Sequence, residues 1–183
     1  MFGQIASLLV DTVAAFFVFM LLARFHFQWL RVPFRNPIGE FILVTTNWCV
    51  APARRMIPGL AGLDLPTLLL AWLVQAAGVW IQAGIAGAEP GVAAVAAVAA
   101  VDMLRYSLYI LVFAVLVQVV FSWINPHAPF APLFDVITRP FLRPLRRVIP
   151  LMGSFDLSPL VLLVLIQVLL IPVGHLRFAA AAL

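Results

Sequence analysis

The stretch RPFLRPLRRVIP, residues 139–150, places four arginines and three prolines within twelve residues of an otherwise apolar chain. A related phrase, APARRMIP, occurs at residues 51–58, and the two align without a gap at an offset of 92 residues. Matches of proline and polar residues extend to both sides: Pro37 with Pro129, Thr46 with Thr138, Arg54 with Arg146, Arg55 with Arg147, Asp64 with Asp156, and Gln75 with Gln167. Chance does not produce such matches between apolar segments. The pattern predicts an internal duplication, with repeats at residues 1–91 and 92–183.

The composition predicts an integral membrane protein. Hydrophobic residues make up 65% and charged residues 10% of the 183 residues, and the mean hydropathy is +1.14. Soluble domains have about 45–50% apolar and about 25% charged residues, and a chain this short cannot hide the excess in one core. Four segments are long enough to cross a bilayer, at about residues 4–23, 65–85, 102–124 and 157–176. The Ala/Val run at residues 91–101 is too short to span alone and is predicted to extend the third helix.

Two further apolar segments, which follow the first and third spans, are too short to cross. In the segment that follows the third span, one predicted helical face carries Phe130, Leu133, Phe134, Ile137 and Phe141. Asp135, Arg139 and Arg143 fall on another face, which favours a helix lying in the membrane interface. Pro140 and Pro144 are predicted to limit its length. The predicted fold is an all-α membrane protein with four transmembrane helices in two parallel repeats, each with a short interfacial amphipathic helix.

The placement of arginine predicts the orientation. All eleven basic residues are arginines, and nine lie in the two connections that follow spans one and three. By the positive-inside rule both connections are cytoplasmic, and both termini face the other side. The net charge of +4 is also compatible with nucleic-acid binding. However, arginines that flank spanning segments more often face anionic lipid headgroups, so lipid is the predicted partner and nucleic acid is not.

The charged residues around the two phrases are the main candidates for a binding site. Six arginines are predicted to contact lipid or a partner: Arg54, Arg55, Arg139, Arg143, Arg146 and Arg147. They act either as general topology and headgroup anchors or as a defined phosphate site beside the helix that starts at Asp156 or Ser158. Asp64 and Asp156 are predicted helix N-caps, each followed by a proline. The alternative is a salt bridge from each aspartate to the arginine pair of its own repeat.

Polar residues inside the spans form a second group. Gln75 and Gln167 are predicted to hydrogen-bond to neighbouring helices, or to line a symmetric polar path. Asp11 is a functional candidate because it is an intramembrane carboxylate, although a pair with Arg105 is favoured. No catalytic motif and no cluster with metal-ligand spacing occurs, so no catalytic residue, cofactor or metal is predicted.

The second repeat resembles the unit that defines the YggT (YlmG-like) family of membrane proteins. The features that carry the resemblance are Asn125-Pro126, Thr138-x-Pro140, the motif at residues 144–150, the motif at residues 153–159, and Gln167. The first repeat departs from the pattern: Pro33 aligns with Asn125, Trp48 aligns with Pro140, and Asn36-Pro37 matches Asn125-Pro126 only with a short gap.

The resemblance implies several functions. Family members are linked to osmotic stress, to cell-division gene clusters and to haem attachment. The predicted function is a non-enzymatic organising or assembly factor of the bacterial inner membrane, which binds anionic lipid, a partner membrane protein or a second copy of itself. One alternative is a component of an osmotic-stress channel or transporter. The other is a haem-assembly factor, for which His26 and His127 are the candidate ligands.

Overall fold

A computed structural model describes residues 2–59, 62–125, 128–149 and 156–183. Within these ranges the chain forms six helices and no strand: α1 (Phe2–Trp29), α2 (Pro37–Met56), α3 (Leu65–Ile85), α4 (Val92–Ile124), α5 (Ala131–Val148) and α6 (Ser158–Ala181). Four of them, α1, α3, α4 and α6, are long and apolar enough to cross a membrane. The prediction of an all-α, multi-pass membrane protein is therefore confirmed.

The spanning helices follow the predicted segments, and α1, α4 and α6 run longer than predicted. Helix α3 has the predicted bounds, and α4 includes the Ala/Val run, as predicted. With 33 residues, α4 is about 50 Å long, whereas the hydrocarbon core of a bilayer is about 30 Å thick. Helix α1 continues past the predicted end at Ala23 to Trp29, so Arg24 lies inside the helix and not in the connection that follows it.

The helices pack in an equivalent way in the two halves of the chain. Helix α1 contacts α3, and α4 contacts α6, while α3 and α1 both contact α4 and so join the halves. The short helix α2 lies against α1 and α3, and α5 lies against α4 and α6. One cluster of buried residues contains Phe27 of α1, Ile42 of α2, and Leu133 and Phe134 of α5. The two short helices therefore cover the same end of the spanning bundle.

The prolines of α5 do not limit its length, so that prediction was wrong. The helix continues through Pro140 and Pro144 to Val148, and Ile149 N donates to Leu145 O at 2.8 Å beyond the second proline. Each proline removes one backbone hydrogen bond, but both prolines are exposed. The carbonyl groups left without an intrahelical donor therefore face away from the protein core, where water or headgroups can bind them.

The start of α2 is fixed by a side-chain cap and a close backbone contact. Asn36 is the N-cap, and its Oδ1 accepts a hydrogen bond from Gly39 N at 2.9 Å. A Cβ atom on Gly39 would lie 2.5 Å from the carbonyl oxygen of Phe34. Only glycine therefore allows the connection after α1 to turn this tightly into α2.

Candidate functional site

The same arginine–aspartate bridge occurs at both copies of the duplicated motif. In the first half, Arg54 Nη2 lies 2.5 Å from Asp64 Oδ2. In the second half, Arg146 Nε lies 2.8 Å from Asp156 Oδ2. Each bridge joins the last turn of a short helix to the start of the next spanning helix. In the structure each aspartate therefore forms a salt bridge to the first arginine of its pair, and no bridge to the second arginine is seen in the described residues.

The first bridge is part of a network in which the carboxylate is buried and the arginine is partly exposed. The Asp64 side chain is only 2% exposed, and it also accepts a hydrogen bond from Thr67 Oγ1. Burial alone would raise the pKa of this carboxyl group, but the hydrogen bonds from Arg54 and Thr67 outweigh it and hold the pKa below its usual range. Arg54 Nη2 also donates to Gln28 Oε1 at 2.7 Å. This network connects α1, α2 and α3.

The second bridge is more open and includes a hydrogen bond to the first residue of α6. Asp156 Oδ1 accepts a hydrogen bond from Ser158 N at 2.9 Å, so the predicted interaction with the start of α6 is present. The Asp156 side chain is 27% exposed. Burial opposes ionisation, yet the hydrogen bonds from Ser158 and Arg146 lower the pKa of this carboxyl group. Asp64 lies at the N-cap position of α3, but its side chain forms no capping hydrogen bond there and accepts a hydrogen bond from the Arg54 side chain instead.

The bridges divide the six candidate arginines into two groups. Three have a carboxylate partner: Arg54 with Asp64, Arg146 with Asp156, and Arg139 with Asp135. The other three are exposed and form no ion pair within the described part of the chain: Arg55, Arg143 and Arg147. In each Arg-Arg doublet, the first arginine therefore holds the fold together, and the second presents an unneutralised charge at the surface.

Helix α2 presents an apolar stripe on its outer face. Phe41, Val44 and Trp48 are exposed, and the spacing of i, i+3 and i+7 places them on one side of the helix. Arg55 follows Trp48 by seven residues, which continues the same side. The opposite side, with Ile42 and Val50, is buried. Helix α5 differs, because its exposed residues are mainly arginines and prolines, with a single exposed Val148 at its end.

A matched polar contact ties each short helix to the spanning helix before it. Arg24 is only 3% exposed, and its Nη1 donates to Thr46 Oγ1 at 2.8 Å and to Asn47 Oδ1 at 2.9 Å. In the second half, Thr138 Oγ1 donates to Gln118 Oε1 at 2.6 Å. Thr46 and Thr138 are aligned in the duplication, and both are fully buried. This pairing was not predicted, although the matched threonines were visible in the sequence.

The two aligned glutamines occupy different environments. Gln75 is buried, and its Nε2 donates to Asp102 Oδ2 at 3.0 Å. Arg177 Nε donates to the other oxygen of the same carboxylate, Oδ1, at 2.7 Å. Gln167 is exposed on α6 and takes no part in this cluster. The structure therefore does not form a symmetric polar path from Gln75 and Gln167. Gln75 instead contacts Asp102, which is paired with Arg177; this pair was not predicted from the sequence.

A cavity of about 780 Å³ lies among the four spanning helices, next to this cluster. Each spanning helix contributes at least one polar side chain to its lining: Asp11 from α1, Gln75 from α3, Asp102 and Arg105 from α4, and Arg177 from α6. Within the described residues, the expected pair of Asp11 with Arg105 is not formed. Arg105 Nε donates instead to Tyr109 Oη at 3.0 Å, and its guanidinium carbon lies 5.5 Å from the centre of the Tyr109 ring.

The histidines do not come together as a ligand set in the described residues. His26 Nδ1 lies 2.6 Å from Leu22 O, one turn earlier in α1. His127, the other candidate haem ligand, lies outside the described residues. In the described ranges, no group of three His, Cys, Asp or Glu side chains is placed to hold a metal ion.

These features define a class: multi-pass helical membrane proteins in which two short helices cover one end of a four-span bundle. The chain belongs to the CCB3/YggT family, because the family's sequence model matches residues 3–84 and 97–176. The resemblance to the YggT family is thereby confirmed. The predicted boundary between repeats, at residues 91 and 92, remains a prediction.

Individual relatives match along most of their length. An uncharacterized protein of Pseudomonas aeruginosa is 33% identical over 159 residues, which cover 85% of this chain and 81% of the relative. The uncharacterized protein YggT of Escherichia coli K12 is 29% identical over 165 residues, covering 89% of this chain and 86% of the relative. An uncharacterized protein of Vibrio alginolyticus is 29% identical over 164 residues, which cover 88% of this chain and 89% of the relative. No solved structure matches the chain.

Proposed function

We propose that this protein is a non-enzymatic organiser of the bacterial inner membrane that binds anionic phospholipid with the arginines of α2 and α5. The observation that carries the proposal is the division of the arginines. Arg55, Arg143 and Arg147 are exposed and lack a carboxylate partner within the described residues, whereas their neighbours Arg54 and Arg146 are bridged. An arginine that merely stabilised the fold would not need to remain unneutralised.

The chemistry of guanidinium favours a phosphate ligand. Arginine presents parallel N–H donors that match two oxygens of one phosphate group. Each basic residue near an anionic membrane surface contributes about 1 kcal/mol of binding free energy. Three such residues contribute about 3 kcal/mol, which corresponds to a preference of roughly 150-fold for anionic over neutral lipid.

The outer stripe of α2 supports the location of these arginines at the membrane surface. Phe41, Val44 and Trp48 are exposed in the structure, and large apolar side chains on one helix face are favourable in lipid and unfavourable in water. Insertion of this stripe into the acyl region would hold Arg55, further along the same face, at the level of the headgroups. By the positive-inside rule, this end of the bundle faces the cytoplasm.

Native mass spectrometry of the protein purified in mild detergent tests the proposal. The triple variant Arg55→Gln, Arg143→Gln, Arg147→Gln is expected to lose co-purifying phosphatidylglycerol and cardiolipin. A matched Arg→Lys triple variant keeps the charge and loses the forked donors. Partial retention of lipid is therefore expected. If the Gln variant retains as much anionic lipid as the parent protein, the proposal is wrong.

A further inference from the structure

The polar cavity among the spanning helices is separate from the arginine-rich end. Its inner end is formed by Gln75, which lies at the middle of α3, and by Asp102. Its outer lining includes Pro90, in the connection between α3 and α4, and Ala181, at the end of α6. The distance along α3 from Gln75 to its end is about 15 Å. The cavity therefore reaches from the middle of the spanning region toward the side opposite the arginine-rich helices.

Two of the four charged groups in the cavity neutralise each other. The Asp102 carboxylate accepts one hydrogen bond from Arg177 and one from Gln75, so both of its oxygens are occupied. This leaves Asp11 on α1 and Arg105 on α4. Within the described part of the chain, the Asp11 carboxylate has no hydrogen-bond or ion-pair partner, and Arg105 contacts Tyr109 through its Nε and through the aromatic ring but has no carboxylate partner.

An unpaired carboxylate and a guanidinium without an ion pair that line the same cavity select a ligand by its charge. An intramembrane charge without a partner is costly. An anion alone would satisfy Arg105 and leave Asp11 unpaired, and a cation alone would do the reverse. A molecule that carries both charges satisfies both residues at once. The volume of about 780 Å³ lies in the range of pockets for small molecules, about 300–1,000 Å³.

We propose that this cavity binds a small zwitterion, a molecule with an ammonium and a carboxylate group, between Asp11 and Arg105. The ammonium group lies toward Asp11, and the carboxylate accepts hydrogen bonds from the free nitrogens of Arg105. Asp102 is paired with Arg177 and connects the two halves of the chain through its hydrogen bond from Gln75. This inference is independent of lipid binding by the short helices, because it uses none of their residues.

Cysteine protection tests whether the cavity is aqueous and occupied. Cys49 is the only cysteine of the chain, so Cys49→Ser provides a background without thiols. Ala83→Cys then places one thiol on the cavity wall. A water-soluble thiosulfonate is expected to modify this thiol, and at least one of glycine, alanine and glycine betaine is expected to slow the reaction. Acetate and methylammonium are not expected to slow the reaction. Absence of modification, or absence of slowing by all three zwitterions, would overturn the proposal.

Two single variants test the selection by charge. Asp11→Asn is expected to weaken protection by the zwitterion about tenfold, as for loss of one charged hydrogen-bond partner, and to make acetate protective. Arg105→Gln is expected to weaken it similarly and to make methylammonium protective. Glu89→Gln removes a carboxylate outside the cavity lining and should change nothing. Thermal unfolding confirms that each variant is folded. If both cavity variants keep the parent's protection pattern, Asp11 and Arg105 do not bind the zwitterion.

Discussion

The two arginine–aspartate bridges differ in burial, and this difference predicts unequal effects of the same substitution. Asp64→Asn removes the charge from a side chain that is 2% exposed, while Arg54 opposite it is 41% exposed. Removal of one partner from a fully buried pair costs about 3–5 kcal/mol, and an exposed pair contributes about 0–1 kcal/mol. Because solvent screens the half-exposed Arg54, we expect Asp64→Asn to lower the free energy of unfolding by about 2 kcal/mol.

The aligned substitution in the second half is the internal control. Asp156 is 27% exposed, its partner Arg146 is 41% exposed, and asparagine can still accept the hydrogen bond from Ser158 N. We therefore expect Asp156→Asn to cost less than about 1 kcal/mol. Thermal unfolding in detergent, followed by tryptophan fluorescence, should show a decrease in Tm of about 4–8 °C for Asp64→Asn and of at most about 4 °C for Asp156→Asn. Equal decreases, or a larger one for Asp156→Asn, would show that burial does not determine how much each bridge stabilises the fold.

The same network predicts a dependence of stability on pH. The pKa of Asp64 is lower in the folded protein than in the unfolded chain, where it is about 3.9. The stability from this group is therefore complete well above pH 3.9, and it is lost as the pH falls through the folded pKa, because the unfolded state binds the proton more tightly. Below about pH 4, the Tm of Asp64→Asn should approach that of the parent. A difference in Tm that stayed constant down to pH 3 would contradict this linkage.

Two further pairs of variants have matched controls. Gly39→Ala should lower the Tm strongly or prevent folding, because the new Cβ would lie 2.5 Å from a backbone oxygen; Gly84→Ala, with open space around it, should be neutral or stabilise α3 by about 0.5–1 kcal/mol. Gln75→Leu should cost about 1–3 kcal/mol because it leaves an oxygen of buried Asp102 without its donor, whereas Gln167→Leu on the exposed face of α6 should be neutral. Thermal unfolding measures all four variants, and the reverse ranking within either pair would contradict the assigned contacts.

The sequence predicted the spanning helices well because hydropathy and length are sufficient for that purpose. It placed α3 correctly and assigned the Ala/Val run to α4. It ended α1 at Ala23 because the arginine that follows suggested an aqueous connection. In the structure Arg24 remains in the helix, since Thr46 and Asn47 of α2 bind its guanidinium. That contact depends on tertiary packing, which local hydropathy does not report.

The sequence identified the residues of the arginine-rich site but not which of their side chains contact each other. The duplication showed that Arg54, Arg55 and their aligned partners belong together, but two adjacent arginines are equivalent in a sequence. Only the direction of each side chain decides which one reaches Asp64. The contact of Asp102 with Arg177 was missed for a similar reason. These residues are 75 positions apart on different helices, and the repeat alignment drew attention to Gln167 instead.

A distance measurement tests whether Arg55, Arg143 and Arg147 contact lipid phosphate. In phosphatidylglycerol bilayers, solid-state NMR detects the dipolar coupling between arginine side-chain 15N and lipid 31P. Contact between these arginines and phosphate predicts clear dephasing of guanidinium nitrogens in the parent protein. It also predicts a marked loss of dephasing when these three arginines are replaced by glutamine. Dephasing that is absent from the parent, or unchanged in the triple variant, would show that these three arginines do not contact lipid phosphate.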